Sequence, residues 1–177
     1  MPHVADDHPS PEFEHSVLIN AAPTRVLAAF FDPHALAAWW QVARSVTTPR
    51  PMGVFAVEWL PTMDSDDLLG RLGGVFHGTV MEYLAGRELF VADAWWLPPD
   101  GDPIGPMALD VQCRPHGNGR QTMLTVKQSA EGEGPRWERY FKIMNRGWEG
   151  ALEEMKTYIE KEIERTKLNR ESRSQSG

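Results

Sequence analysis

The sequence is short of the features that usually narrow a function quickly. Its single cysteine, Cys113, in 177 residues excludes an internal disulfide framework and any cysteine-rich zinc site. No apolar run approaches the ~18–20 residues that a membrane-crossing helix needs. Basic residues are the minority: 18 Lys and Arg stand against 25 Asp and Glu, a net charge of −7. That argues against a nucleic-acid partner, because such binding rests on a basic surface. There is no Gly-x-Ser-x-Gly for a serine nucleophile, no Gly-x-Gly-x-x-Gly and no P-loop. Cys113 alternates with Leu109 and Val111, which makes it a buried small apolar residue rather than a nucleophile. The histidines (His3, His8, His15, His34, His77 and His116) are scattered without ligand spacing, so neither a metal nor a cofactor is expected. His77, beside Gly78, is the one to examine for a site role. Met1 to Asp7 is polar and acidic with no visible leader, and the cytoplasm is the expected location.

What is there is an ordinary globular composition, 41% apolar and 24% charged, with seven tryptophans. The length suits one domain. Residues 1–12 and 168–177 are polar and aperiodic, so the expected domain spans 13–167 between two disordered tails. Phe13, His15, Val17 and Ile19 share one parity and predict a half-buried strand. Pro23 opens a helix expected to run through Asp32; Asp32-Pro33 then caps and opens a second, which ends at Trp39-Trp40. A meander of antiparallel strands follows, at 41–48, 54–60, 75–84, 87–97, 107–114 and 121–128. Residues 61–74 and 98–106 interrupt it as loops. From Trp137 the period changes. Tyr140, Phe141, Met144, Trp148, Leu152, Met155, Ile159 and Ile163 step by three or four along one long amphipathic helix. Its apolar stripe must be covered, and a curved sheet is the only partner available. The predicted class is therefore α+β: about six to seven antiparallel strands wrapped around a C-terminal helix, with two short helices after the first strand. The space between them is a filled core or a pocket, according to the side chains that occupy it.

The segment from Ile19-Asn20-Ala21-Ala22-Pro23 through Val26, Phe30, Asp32-Pro33 and Leu36 to Trp39-Trp40 resembles the opening of the START-like (SRPBCC) superfamily. Within it, the match is to the branch named after the C-terminal domain of the heat-shock-ninety ATPase activator homologue. Pro51 to Phe55, Gly78 to Glu82 with Arg87 to Leu89, and Gly147 to Leu152 continue the resemblance in order. It implies a helix-grip fold with an internal pocket. Members bind lipids, steroids, polyketides or hormones, some are cyclases or aromatases, and one branch stimulates a chaperone ATPase. They share no single catalytic motif, so no catalytic residue is carried over. Residues 61–73 and 97–106 are longer than the pattern needs, and Asp93 stands where the branch tends to have an aromatic.

Alternation points Phe55, Val57 and Trp59 inward on one strand, and Leu89, Val91, Asp93 and Trp95 inward on another. Together with Met144, Trp148, Leu152 and Met155 on the helix, and Trp39 and Trp40 at the expected mouth, they would enclose an aromatic interior. Entry is expected between Trp39-Trp40, residues 97–106 and the helix. Asp93 would need a partner there, such as Arg139, a tryptophan N–H or the ligand; alternatively a bulge turns it to water. Glu58 and Asp110 have the opposite parity and should face out. The expected function is binding of a hydrophobic or aromatic small molecule. The alternatives are a chaperone-directed interaction module, or a cyclase or hydrolase drawing on Asp93, His77 and Arg139. A monomer and a homodimer are both compatible with the sequence.

Overall fold

A computed structural model describes residues 11–176. Its elements, in chain order, are β1 (Glu12–Ile19), α1 (Pro23–Ala28), α2 (Pro33–Trp40), β2 (Arg44–Thr47), β3 (Val54–Trp59), β4 (Ser65–Asp66), β5 (Gly70–Arg71), β6 (Gly74–Leu84), β7 (Glu88–Leu97), β8 (Ile104–His116), β9 (Gln121–Ala130) and α3 (Pro135–Ser174). Seven strands form one antiparallel sheet in the order β1-β9-β8-β7-β6-β3-β2, and β4 and β5 pair as a separate small hairpin. The sheet curves around α3, which packs against β1 and α2. The expected α+β helix-grip architecture is the one observed.

Local chemistry accounts for the helix boundaries. Pro23 and Pro33 each occupy a first helical turn, where a missing N–H costs nothing. The Asp32 carboxylate accepts from the His34 N–H at 3.0 Å and caps α2. Gln41 ends α2 in the left-handed region at φ 58°. α1 stops at Ala28, short of the expected Asp32, and residues 29–31 form a turn whose Ala29 and Phe30 are buried. α3 extends past Lys167, where the polar tail was expected, to Ser174. Its last turns are rich in Glu, Lys and Arg, good helix formers linked by Arg165–Glu162 and Lys167–Glu164 pairs. β1 starts at Glu12, and residues 1–10 of the expected N-terminal tail lie outside the described residues.

The core lies between the concave face of the sheet and the helices. Ile19, Val26, Leu36, Phe55, Val80, Leu89, Leu109, Leu124 and Met155 are all fully buried there. Cys113 is buried in the same core, and desolvation pushes its thiol up to about 12. At pH 8 the native protein should therefore leave Ellman's reagent unreacted, while the chain unfolded in guanidinium should titrate one thiol. A native thiol that reacts at the unfolded rate would contradict that burial. No described helix is long and apolar enough to cross a membrane.

Candidate functional site

A cavity of about 870 Å³ opens between the end of α2, β3, β6 and α3. This lies within the size range of small-molecule pockets. Five of the seven tryptophans line it: Trp39, Trp40, Trp59, Trp96 and Trp148. Four of them form a connected array, and Trp96 packs on Tyr140 instead, with ring centroids 5.4 Å apart. Trp39 and Trp40 stack with ring centroids 5.0 Å apart. Trp59 meets Trp40 edge-on at 5.0 Å, and Trp148 approaches Trp40 at 4.7 Å. Hydrogen bonds fix the rings. The Trp39 indole donates to the Ala29 carbonyl, Trp59 to the Trp40 carbonyl at 2.8 Å, and Trp96 to the Gly73 carbonyl at 2.7 Å. Each indole N–H thus ties one segment of the wall to another.

One buried polar group sits among these rings. Gln128, 2% exposed on β9, donates from Nε2 to the Tyr140 hydroxyl at 3.0 Å and to Met107 Sδ at 2.7 Å. Its Oε1 accepts from Trp148 Nε1 at 3.2 Å. Burial pushes the Tyr140 phenol well above its ordinary value, and the Gln128 hydrogen bond offsets only part of that. Tyr140 is therefore a neutral O–H at physiological pH. Gln128, Tyr140 and Trp148 all line the cavity.

The floor of the mouth is the α3 stretch Gly147, Gly150 and Ala151. A glycine in a helix interior costs roughly 0.5–1 kcal/mol against alanine. A Cβ at Gly147 or Gly150 would meet no atom within 4 Å, so packing does not require either glycine. Their effect is to keep the mouth wide.

Of the residues expected to line the site, Trp39, Trp40, Trp59, Met144 and Trp148 do so. Phe55, Leu152 and Met155 face inward but are packed into the core, outside the cavity. Asp93 and Trp95 are not in it at all. Between Val91 and Ala94, β7 uses three steps against two on β8 and carries an extra residue. Asp93 occupies the bulge at φ 48° and is exposed, and its carboxylate accepts from the Trp95 indole at 3.1 Å. The slip passes the inward position from Trp95 to Trp96. Across the bulge a Cβ on Gly78 would lie 2.6 Å from a Val91 methyl, which explains glycine at that position. His77, paired with Trp95 and Ala56, is on the outer face, as are Glu58 and Asp110. Asp93, His77 and Arg139 therefore do not converge.

Arg139 instead binds Asp66, with Nε 2.7 Å from the carboxylate. This ties the 61–73 segment to α3, and Thr62, Leu72 and Gly73 of that segment line the cavity. The cavity wall beside α3 is thus this segment, not the expected 97–106 loop. Burial alone would push the Asp66 carboxyl up. The Arg139 hydrogen bond, the Leu68 and Leu69 N–H groups and the Arg139 charge outweigh it and hold the group below its ordinary value. A carboxyl depressed by folding contributes stability above its unfolded range and loses it as pH falls through the lowered value. Asp66→Asn should therefore reduce amide-exchange protection across 61–73 at pH 7. The gap to the wild type should narrow in acid, and equal protection at pH 7 would remove the tie from this role.

Fold and cavity together define a helix-grip protein with an open, aromatic-lined interior. Residues 20–160 match the model of the activator of Hsp90 ATPase homolog 1-like family, and the chain belongs to that family. No curated protein matches it. Among solved structures, it is similar to protein MLL2253 from Mesorhizobium loti, at 20% identity and a TM-score of 0.63 over 85% of this chain and 98% of that one. Mll3558 from Rhizobium loti is similar at 17% identity, with a TM-score of 0.64 over 83% and 95% of the two chains. CV1439 from Chromobacterium violaceum is similar at 21% identity, with a TM-score of 0.60 over 84% and 96%. At these identities the likeness extends to the fold.

Proposed function

We propose that the chain is a small-molecule binding protein whose ligand is hydrophobic and aromatic and sits between Trp40, Trp59, Trp148 and the Gly147–Ala151 floor. The observation that carries this reading is the unfilled cavity of about 870 Å³ walled by five tryptophans. An open recess of this size, lined mainly by aromatic side chains with a few polar groups, has the make-up of a small-molecule pocket. Flat rings recruit flat ligands by offset stacking and edge contacts. Titration with 2-isopropenylanthracene should quench tryptophan emission in a saturable, one-to-one manner. Emission that does not change, or that drifts without saturation, would refute the reading. Trp59→Ala removes one wall and should weaken binding by roughly tenfold, the scale of a lost aromatic contact.

Family membership supports a second reading, docking on a chaperone ATPase of the kind the family name records. Its test is stimulation of such an ATPase by micromolar protein. No stimulation and no association at that concentration would count against it.

A further inference from the structure

The polar group at the cavity wall carries more than its presence, because its hydrogen atoms can be accounted for one by one. An indole N–H only donates. Trp148 Nε1, 3.2 Å from the Gln128 amide, therefore fixes the amide oxygen on its own side. The amide nitrogen must then face Tyr140 and Met107, and both of its hydrogens are used there. The Tyr140 oxygen is thereby an acceptor toward Gln128. Its own hydrogen cannot go to an amide nitrogen that is already donating. Among the described residues the Tyr140 hydroxyl has one hydrogen-bond partner, the Gln128 amide nitrogen, which leaves its own hydrogen unclaimed. A buried donor left without a partner is costly, and here it borders an 870 Å³ cavity.

We propose that the ligand supplies the missing acceptor: a carbonyl oxygen received by the Tyr140 hydroxyl, so that the cavity selects aromatic ketones, quinones and related carbonyl compounds over hydrocarbons of the same shape. The proposal rests on the ligand-binding reading above and sharpens it. Tyr140 is the group that touches the ligand. Gln128 and Trp148 are positioning residues: the indole sets the amide, and the amide sets the hydroxyl. The other polar side chains of the lining, Gln41, Thr62, Arg146 and Glu154, are exposed, so Tyr140 is the buried hydroxyl donor among the rings. A site built to hydrogen-bond a ligand group discriminates strongly against the analogue that lacks it.

The test uses two probes of equal shape, 2-acetylanthracene and 2-isopropenylanthracene, in which C=O is exchanged for C=CH2. The wild type should bind the ketone roughly tenfold more tightly than the alkene, the worth of one good hydrogen bond. In Tyr140→Phe the ratio should fall to about one. In Trp148→Phe the amide is free to turn its oxygen to Tyr140 and take up the hydroxyl proton, so the ratio should fall although Tyr140 remains. A merely structural role for Trp148 would weaken both probes together and keep the ratio. The carbonyl stretch of bound ketone should lie at lower wavenumber in the wild type than in Tyr140→Phe. If that variant does not fold, the wild-type ratio and Trp148→Phe still decide the matter. Equal binding of both probes by the wild type overturns the proposal and leaves the pocket standing. Failure of both probes to bind overturns the pocket reading and this proposal with it. A preference that survives in Tyr140→Phe assigns the donor elsewhere and also overturns it.

Discussion

Trp39→Ala should lower the stability of the folded chain by about 3–5 kcal/mol, the range for truncating a large, fully buried aromatic. Trp39 is 1% exposed, meets Phe30 edge-on at 5.2 Å and stacks on Trp40. Removing the ring leaves a void that a turn and a short helix cannot readily collapse into. It also leaves the Ala29 carbonyl, the acceptor of the indole N–H at 3.0 Å, without that partner. Trp39→Phe isolates the second effect: most of the area stays and the N–H goes, so about 1–3 kcal/mol should be lost. Trp95→Ala on the outer face is the control. Trp95 is partly exposed and its indole pairs only with the exposed Asp93, so its loss should be markedly smaller. Urea unfolding of the three variants gives the ranking. Trp39→Ala and Trp95→Ala with equal midpoints would contradict the placement of the two rings.

The second large effect is expected at Gly150, where stability and binding should move in opposite directions. Gly150→Ala should raise stability by up to about 1 kcal/mol, because alanine is the better helix former and its Cβ meets nothing. Gly150→Phe should also fold, since the new ring projects into the mouth rather than into packed protein. That ring occupies ligand space, and probe affinity should fall by well over tenfold, a loss above about 1.4 kcal/mol. A helix that merely tolerates glycine would show the stability gain alone. Loss of folding in Gly150→Phe would mean that the mouth is closed in solution.

Much of this architecture is legible in the residues. Alternation on β1, β3 and β9 and the three-and-four stepping of α3 give the elements, and the need to cover one apolar stripe gives their arrangement. The Asp32-Pro33 and Trp39-Trp40 signals bound α2, and the family resemblance sets the expected mouth at its end. The differences have local causes. The β7 bulge at Asp93 carries no proline or glycine of its own, and its trace is Gly78 on the neighbouring strand, which parity counting does not weigh. After the bulge, parity assigns Trp95 inward and Trp96 outward, the reverse of what the pairing produces. Gln128 was readable in principle: it sits on the same face of β9 as Thr122, Leu124 and Val126, a polar amide on the buried side. Its partners were not readable, because Met107 and Tyr140 meet it only through β8 pairing and the docking of α3. The shift of the cavity wall to the 61–73 segment depends on the Asp66–Arg139 pair, a contact across 73 positions of sequence that no local pattern announces.

The claim beneath all of this is that the space between α3 and the sheet admits a ligand. Titration of 2-isopropenylanthracene into the wild type and into Gly150→Phe, with both folds checked by near-ultraviolet circular dichroism, tests it most directly. The account predicts one saturable site in the wild type and its loss in the variant. No saturable binding by the wild type, or the same affinity in both proteins, would contradict it.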